Sequence, residues 1–454
     1  MLTLLSDLPL LIPLILLPLL LSISIFKDKL DFPAHWWNGI LLLSLATTFF
    51  HALGIHPDIY SIFFAFGITL GVFFRRKTIL HFFHISQFPF DFNRAIVFFT
   101  LLVLLTYGVL QINTHTIIGG DVFPIWLNKT KSIFSGIAYS SLPVVQYPSL
   151  IPTFNAFAMK FTGGYHPNRG LYFGLVLFFF WIFSFFNLLK SRFSFFDAIV
   201  ISFIAILSFD KSVFNGMQDT ILMMGAGMAS IAFIKHFEYS RSKFDDTLVL
   251  KGRGLYWVGI FFSGMLPLIK SEGIILGAIL VGLSMVIVFA ITPNTSISVI
   301  KRYIFPVFVF ILLVAIWPVI LYTGDVNITN IQGDNLTLSS LLDISHNLGR
   351  VPIIMNYFMS YIKSIYIYFF TSLVLSGIAL WLSPKLKQTL IFLWCVGVLN
   401  WLFISIVFLS TRAPLIWHLD TAFNRLMSQH FFIYILSTLI VAQDFSQVWE
   451  YDHE

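Results

Sequence analysis

Residues 273–291 read GIILGAILVGLSMVIVFAI, a run without a single charged side chain. A helix of about 20 apolar residues crosses the roughly 30 Å of hydrocarbon in a bilayer. Similar runs return along the whole chain, in which 58% of the 454 residues are hydrophobic and 11% are charged. A water-soluble domain needs far more polar surface than this. The sequence therefore predicts an all-α polytopic membrane protein.

About thirteen hydrophobic runs approach the length of a membrane span. They lie at residues 8–26, 38–54, 58–74, 95–112, 168–188, 194–209, 219–234, 254–269, 273–291, 303–322, 358–382, 388–410 and 430–444. The first run has no basic start and no small-residue cleavage site, so we expect a retained span rather than a removed signal peptide. An odd number of spans places the two termini on opposite sides of the membrane.

The basic residues indicate the orientation. If the N-terminus lies outside, 17 of the 27 Lys and Arg residues fall in short inside loops, as the positive-inside rule requires. We therefore expect a multi-pass plasma-membrane protein with a cytoplasmic C-terminus. Orientation also accounts for the net charge of +6, so no nucleic-acid partner is expected. The single cysteine, Cys395, lies in an apolar run, which excludes a disulfide framework and a cysteine-based metal site.

No long hydrophilic domain or internal repeat interrupts the chain, which predicts one transmembrane domain. We distinguish N-terminal helices at 1–94, a central module at 95–291, and C-terminal helices at 292–454 with outer loops at 323–357 and 411–429. The apolar segment 147–161 is too short for a span. It begins with Tyr147-Pro148 and is predicted to form a helix lying in the membrane interface on the outer side.

Four polar clusters stand at the outer ends of the predicted spans. They are Gly119-Gly120-Asp121, Asn215-Gly216-Met217-Gln218-Asp219, Lys270-Ser271-Glu272-Gly273, and Trp417-His418-Leu419-Asp420 with Arg425. A charged side chain this close to hydrocarbon costs free energy, so its presence usually indicates a function. Their shared side indicates a reaction or binding centre at one membrane surface.

The order and spacing of these clusters resemble the GT-C membrane glycosyltransferases. This superfamily includes the protein O-mannosyltransferases and the aminoarabinose transferases of bacterial lipid A. The segments that carry the resemblance are Asp121–Lys129, Tyr147–Pro152, Asn215–Asp219, Lys270–Gly273 and His418–Gln429. The first two resemble the first extracytoplasmic loop and the third resembles the second outer loop. The fourth resembles a turn between later spans, and the last resembles a late outer-loop motif of uncharacterised bacterial relatives.

The resemblance implies a sugar donor on a polyprenyl phosphate and an acceptor that is a glycan, a lipid or a protein. Asp121 is the expected base for the acceptor hydroxyl, because partial burial raises the proton affinity of a carboxylate. Asp219 is the second expected catalytic residue, which orients the acceptor or shares a divalent cation, Mg or Mn, with Asp121. The structural alternative for both aspartates is a helix N-cap.

The leaving phosphate needs cations and hydrogen-bond donors. The residues expected to bind substrate are Lys129, Tyr147, Lys270, Glu272, His418, Asp420 and Arg425. Structural alternatives exist for four of these residues. Lys270 can pair with Glu272 or extend to the headgroups, Lys129 can meet lipid headgroups, Arg425 can anchor at the interface, and Tyr147 can simply pack.

Two other functions compete with glycosyl transfer. A transporter or lipid flippase also combines many spans with few charges, but it usually carries polar groups at mid-span and broken helices in paired repeats. An O-antigen polymerase or ligase also acts on lipid-linked sugars at the outer face. Those enzymes typically have larger outer loops with several arginines, whereas loop 323–357 contains one, Arg350.

Overall fold

The computed structural model describes most of the chain, and every regular element in the described part is helical. The described residues are 15–23, 32–85, 91–114, 122–144, 147–161, 164–187, 194–209, 218–240, 246–291, 297–323, 344–411 and 414–451. This agrees with the all-α prediction.

We number the helices in chain order. They are α1 (15–23), α2 (Phe32–Ala52), α3 (Pro57–Ile85), α4 (Phe92–Thr114), α5 (Asn128–Phe134), α6 (Leu150–Lys160), α7 (Pro167–Ser184), α8 (Phe195–Ser208), α9 (Gln218–Ser240), α10 (Asp246–Ile269), α11 (Gly273–Ile291), α12 (Ile297–Thr323), α13 (Ile344–Ser364), α14 (Tyr366–Leu382), α15 (Lys387–Ser410), α16 (Leu415–His418), α17 (Asn424–Ser428) and α18 (Phe431–Tyr451). Two π-helical turns, Val122–Leu127 and Leu419–Phe423, precede α5 and α17.

Within the described ranges, seven helical stretches are long and apolar enough to cross a membrane, or eight if the bent pair α13–α14 counts as one span. The seven are Pro57–Leu80, Phe92–Thr114, Gln218–Ser240, Gly273–Ile291, Tyr303–Thr323, Lys387–Ser410 and Leu415–Asp444. Many large apolar side chains are exposed, among them Phe63, Phe66 and Phe73 on α3, as suits a lipid-facing surface. The coarse prediction of a multi-pass membrane protein is supported, and the number thirteen stays a prediction.

The chain divides into two compact units. Unit 1 comprises Met1–Ile221, Pro267–Ser271 and Leu312–Val326, and unit 2 comprises Leu222–Leu266, Glu272–Ile311 and Asn327–Glu454. Helices α1 to α8 belong to unit 1, and α11 with α13 to α18 belong to unit 2. Helices α9, α10 and α12 each contribute residues to both units.

Two helices of unit 1 begin at residues that commonly begin helices. Pro167 stands at the first position of α7, where a missing amide proton costs nothing. Ser194 and Asp197 form a capping box at α8, in which the Asp197 amide donates to Ser194 Oγ at 3.1 Å and the Ser194 amide donates to Asp197 Oδ2 at 2.9 Å. These contacts satisfy amide groups that the first helical turn leaves without a partner.

Helix α6 is buried among four other helices of unit 1. Every residue from Leu150 to Met159 is buried, and the helix packs against α2, α3, α5 and α7. Its 11 residues are too few to cross a bilayer, as the sequence predicted for segment 147–161. Its burial inside the protein differs from the expected helix lying in the lipid interface. The apolar residues of α6 serve packing between helices.

In unit 2, α11 packs against α15, and α14 packs against α18. Helices α13 and α14 are bent by 84° at a break around Ile365. The segment predicted as a span at 358–382 is therefore two helices that meet at a bend rather than one straight helix. The predicted outer loops also need correction, because residues 344–357 belong to α13 and residues 415–428 are helical.

A tight turn of three residues joins α10 to α11 and carries Lys270, Ser271 and Glu272. Gly273 begins α11 directly after it. A Cβ atom on Gly273 would lie 2.3 Å from the carbonyl oxygen of Leu266, a distance no side chain tolerates. Glycine thus allows the next helix to start this close to the preceding one.

Candidate functional site

A buried ion pair joins two of the predicted site residues within unit 1. Asp219 lies in the first turn of α9, and Lys270 follows the last residue of α10. Lys270 Nζ donates to Asp219 Oδ1 at 2.6 Å, and the two side chains are 8% and 5% exposed. The partners are 51 positions apart in sequence. The pairing that the sequence suggested for Lys270 was with Glu272, two residues away.

Helix polarity favours both charges of this pair. The N-terminal end of a helix stabilises an anion and the C-terminal end stabilises a cation, and Asp219 and Lys270 occupy those respective ends of α9 and α10. Burial of each ion still costs several kcal/mol, and only close geometry offsets that cost. Asp219 is the second described residue of α9, and its carboxylate accepts a hydrogen bond from a distant lysine, whereas the helix N-cap alternative stays a prediction.

Lys129, expected to contact donor phosphate or headgroups, lies inside unit 1. Its side chain is fully buried in α5. Its Nζ donates to the main-chain oxygens of Val144 at 3.0 Å and Tyr147 at 2.8 Å. The ring of Trp126 is 5.8 Å from Nζ and 5.9 Å from the ring of Tyr147. These two hydrogen bonds from Lys129 hold in place the main chain that precedes α6.

Burial lowers the pKa of Lys129 from 10.5 to about 7, because desolvation disfavours the charged ammonium. A neutral amine keeps two N–H groups, which matches the two carbonyl acceptors. Lys129 thus holds this segment in either protonation state. Buried Tyr139 donates to Ser149 Oγ at 3.3 Å just before α6, and burial raises the pKa of the Tyr139 phenol.

Unit 2 brings together three other predicted residues, His418, Asp420 and Arg425, on the helical segment 415–428. Half-buried His418 contacts Thr411 Oγ1 through Nδ1 at 2.9 Å. Arg425 lies close enough for its charge to act on the His418 imidazole. Exposed Asp420 accepts a hydrogen bond from the hydroxyl of Tyr357. An imidazole, a guanidinium and a carboxylate are thereby held on a single segment.

A hydrophobic cluster supports this segment. Its buried members are Ile354, Tyr361, Ile404, Phe408, Leu419, Ala422, Phe423, Leu426 and Met427. The Phe408 ring lies 4.9 Å from the His418 ring, and the Tyr361 hydroxyl donates to the Met427 carbonyl at 3.0 Å. The helical segment 415–428, which carries the polar side chains, is therefore held in place by buried hydrophobic contacts.

Two contributors to this region escaped sequence reasoning. Arg350, expected in an outer loop, donates from Nη1 to the carbonyls of Phe408, Leu409 and Thr411 at 2.7 to 3.3 Å. It thereby satisfies carbonyls at the C-terminal end of α15, where a cation also suits the helix dipole. Tyr357, the partner of Asp420, lies 63 positions away. Neither contact has a local sequence signal.

Asp121 and Glu272 are the remaining predicted residues. Asp121 lies outside the described residues, and the π-helical turn Val122–Leu127 begins at the next residue, as the helix N-cap alternative for Asp121 requires. Glu272 is half-buried in the α10–α11 turn and belongs to unit 2. Within the described part of the chain, no three His, Cys, Asp or Glu side chains group together as a metal site. The expected Mg or Mn site stays a prediction.

No known protein family, curated protein or solved structure matches this chain. Unit 1 supplies a carboxylate and an ammonium in direct contact, shielded from water. Unit 2 supplies His418 and Arg425, which suit an anionic ligand, beside the Tyr357–Asp420 contact. An ammonium and a guanidinium are the groups that proteins use to bind phosphate.

Proposed function

We propose that this protein is an integral membrane glycosyltransferase that moves a sugar from a polyprenyl-phosphate donor to an acceptor at the extracytoplasmic face. The observation that supports the proposal best is the buried Asp219–Lys270 pair of unit 1. Replacing a buried ion pair by apolar residues is often neutral or stabilising. A buried ion pair at the ends of two apolar helices is thus better explained by chemistry than by stability.

In the proposed reaction, an acceptor hydroxyl attacks the anomeric carbon of the donor sugar. The bond from that carbon to the phosphate oxygen breaks, polyprenyl phosphate leaves with the bonding electrons, and a carboxylate takes the hydroxyl proton. Asp121 is the proposed base, as the sequence resemblance implies. Asp219 orients the acceptor, and Lys270 stabilises the charge that develops on the departing phosphate.

Lys270 can serve both partners because an ammonium has three N–H donors. One of them goes to Asp219 at 2.6 Å. In the proposed reaction the ammonium contacts a phosphate oxygen when the donor binds, and the Asp219 carboxylate fixes the position of the ammonium beforehand. Preorganised cations of this kind stabilise developing charge without reorganising at the moment of reaction.

The other predicted residues take supporting parts in this proposal. The sequence resemblance assigns His418, Asp420, Arg425 and Glu272, all residues of unit 2, to substrate binding, and that assignment stays a prediction. Lys129 and Tyr147 shape the wall of the donor site, since the lysine bonds to the Tyr147 carbonyl at 2.8 Å. The protein lies in the plasma membrane with its N-terminus outside and its C-terminus in the cytoplasm. A glycan, a lipid or a protein is the acceptor.

A transporter or lipid flippase is the second candidate function. The observation in its favour is the bend of 84° between α13 and α14. Broken helices often form the substrate sites of transporters. A transporter would move its cargo without changing it, so it predicts no new covalent product.

The experiment that tests the proposal is mass spectrometry of surface glycans in cells lacking this protein. Cells complemented with the wild-type protein should regain a glycan mass that the deletion removes, whereas the Asp219→Asn variant should not restore it. The matched control is Asp58→Asn, which alters an exposed aspartate paired with Lys160 at the same 2.6 Å. Glycans that do not change on deletion would refute the enzyme.

A further inference from the structure

An apolar groove lies within unit 2, and none of the residues of the proposed reaction lines it. It has a volume of about 420 Å³ and is lined by residues of α11, α14 and α15, which suits the size of a small-ligand site. Buried Leu390 forms part of its floor, while Leu373, Val398 and Leu399 are exposed at its rim. The groove opens along one side, where lipid would surround the protein.

The residues that line the groove are almost all apolar, so a bound molecule needs no polar groups to match them. Ser376, a polar residue of the wall, is buried and accepts a hydrogen bond from Trp394 Nε1 at 3.0 Å. Cys395, which also lines the groove, behaves as a small hydrophobic side chain. The groove therefore suits a hydrocarbon chain.

The length of the groove matches one membrane leaflet. Its lining on α15 runs from Leu390 to Leu399, nine helical steps or about 14 Å at 1.5 Å per residue. One leaflet of hydrocarbon is about 15 Å deep, half of the roughly 30 Å core. A single acyl chain lying along α15 would fill the groove from one end to the other.

Positive charge stands at one end of the groove. Exposed Lys387 begins α15, one helical turn before the lining residue Ile391, and exposed Lys385 lies in the turn between α14 and α15. Lysines at this depth attract anionic lipid headgroups. We propose that unit 2 binds one anionic phospholipid, with an acyl chain in the groove and its phosphate at Lys385 and Lys387.

The site would face the inner leaflet, because both lysines lie on the side that the charge distribution predicts to be cytoplasmic. It would thus be separate from the proposed reaction centre at the outer side. Two lysines near a headgroup give an expected preference for anionic over zwitterionic lipid on the order of tenfold.

Native mass spectrometry of the full chain, released from detergent, tests the proposal. The probes are phosphatidylglycerol and phosphatidylcholine with identical acyl chains, added at equal concentrations. We expect one phosphatidylglycerol per chain, bound about tenfold better than phosphatidylcholine. The joint change Lys385→Gln and Lys387→Gln should remove that preference while leaving the weaker chain binding.

Gly377→Leu tests the groove itself. Gly377 lines it, and nothing lies within 4 Å of an added Cβ, so the larger side chain should fill the space without straining the fold. Gly67→Leu is the matched control, since Gly67 on α3 has equally open surroundings. Gly377→Leu should lower phosphatidylglycerol binding at least several-fold, and Gly67→Leu should not.

Three results would overturn the proposal. Unchanged lipid binding in Gly377→Leu would remove the groove from the site, and equal binding of both lipids to the wild type would remove the role of the lysines. A wild-type mass of two chains that Gly377→Leu reduces to one would show that a second copy of the protein occupies the groove instead. The thermal stability of each variant, measured in the same detergent, identifies any that misfold.

Discussion

Removing one partner of the buried Asp219–Lys270 pair should destabilise the protein far more than removing one partner of the Asp58–Lys160 pair. Both pairs have an N···O distance of 2.6 Å, but the Asp58 side chain is 57% exposed whereas that of Asp219 is 5% exposed. Unit 1 thus contains two ion pairs of equal length in different surroundings. The comparison isolates the effect of burial.

The magnitude follows from Coulomb's law. Two unit charges 2.6 Å apart attract by about 6 kcal/mol at an effective dielectric constant near 20. Desolvation of the two ions offsets most of this attraction, so the intact pair contributes little net stability. Removing one charge leaves the other buried alone, and we expect a loss of about 3–5 kcal/mol. An exposed pair is usually worth about 0.2–1 kcal/mol.

The assay is a double-mutant cycle on Asp219→Leu, Lys270→Met and their combination, with Asp58→Leu and Lys160→Met as the control cycle. The folded fraction after heating is read by size-exclusion chromatography in detergent. Each buried single variant should lose folded protein at a clearly lower temperature, and the buried double variant should recover most of the loss. The reasoning fails if the double variant is no more stable than the singles, or if the two cycles give equal coupling.

Further predictions concern charge, chemistry and topology. The pKa of Lys129 is about 7 in the folded protein against 10.5 ordinarily, so the unfolded chain binds more protons between these values. The free energy of unfolding should therefore rise by up to about 3 kcal/mol from pH 7 to 9.5. Thermal melts of the Lys129→Met variant should lack this rise. An identical rise in the variant would contradict the reasoning. Asp121→Asn should abolish sugar transfer with normal folding and expression, and retained transfer would remove it as the base. Arg425→Ala should raise the KM for the lipid-phosphate donor more than that for the acceptor, and equal effects would argue against phosphate contact. In a Cys395→Ser background, Asp334→Cys should react with a membrane-impermeant maleimide from outside intact cells, whereas labelling from inside alone would reverse the topology.

Membrane character and the positions of several helices followed from sequence because each depends on local composition. The uncharged run 273–291 coincides with α11, and segment 147–161 contains one short helix, α6. The surroundings of α6 could not be predicted, since an apolar sequence fits lipid and protein interior equally well. The bend at Ile365 likewise has no proline or glycine to mark it.

The contacts of the charged residues could not be predicted from the sequence for a different reason. Lys270 was matched with its neighbour Glu272 because only near positions can be compared in a single sequence, yet its observed partner is 51 residues away. Arg350 bonds to carbonyls 58 to 61 positions along the chain. Lys129 looked like a surface lysine, and only the path of the following segment buries it. Each contact depends on how the helices pack.

The most direct test of the proposed chemistry uses proteoliposomes that contain polyprenyl-phosphate-linked sugars extracted from the native membrane, together with an acceptor fraction. Mass spectrometry would follow the conversion of sugar-linked lipid to bare polyprenyl phosphate. The wild-type protein should deplete the sugar-linked lipid, and the folded variant carrying both Asp219→Leu and Lys270→Met should leave it intact. Equal depletion by that variant, or none by the wild-type protein, would contradict the role assigned to the buried pair.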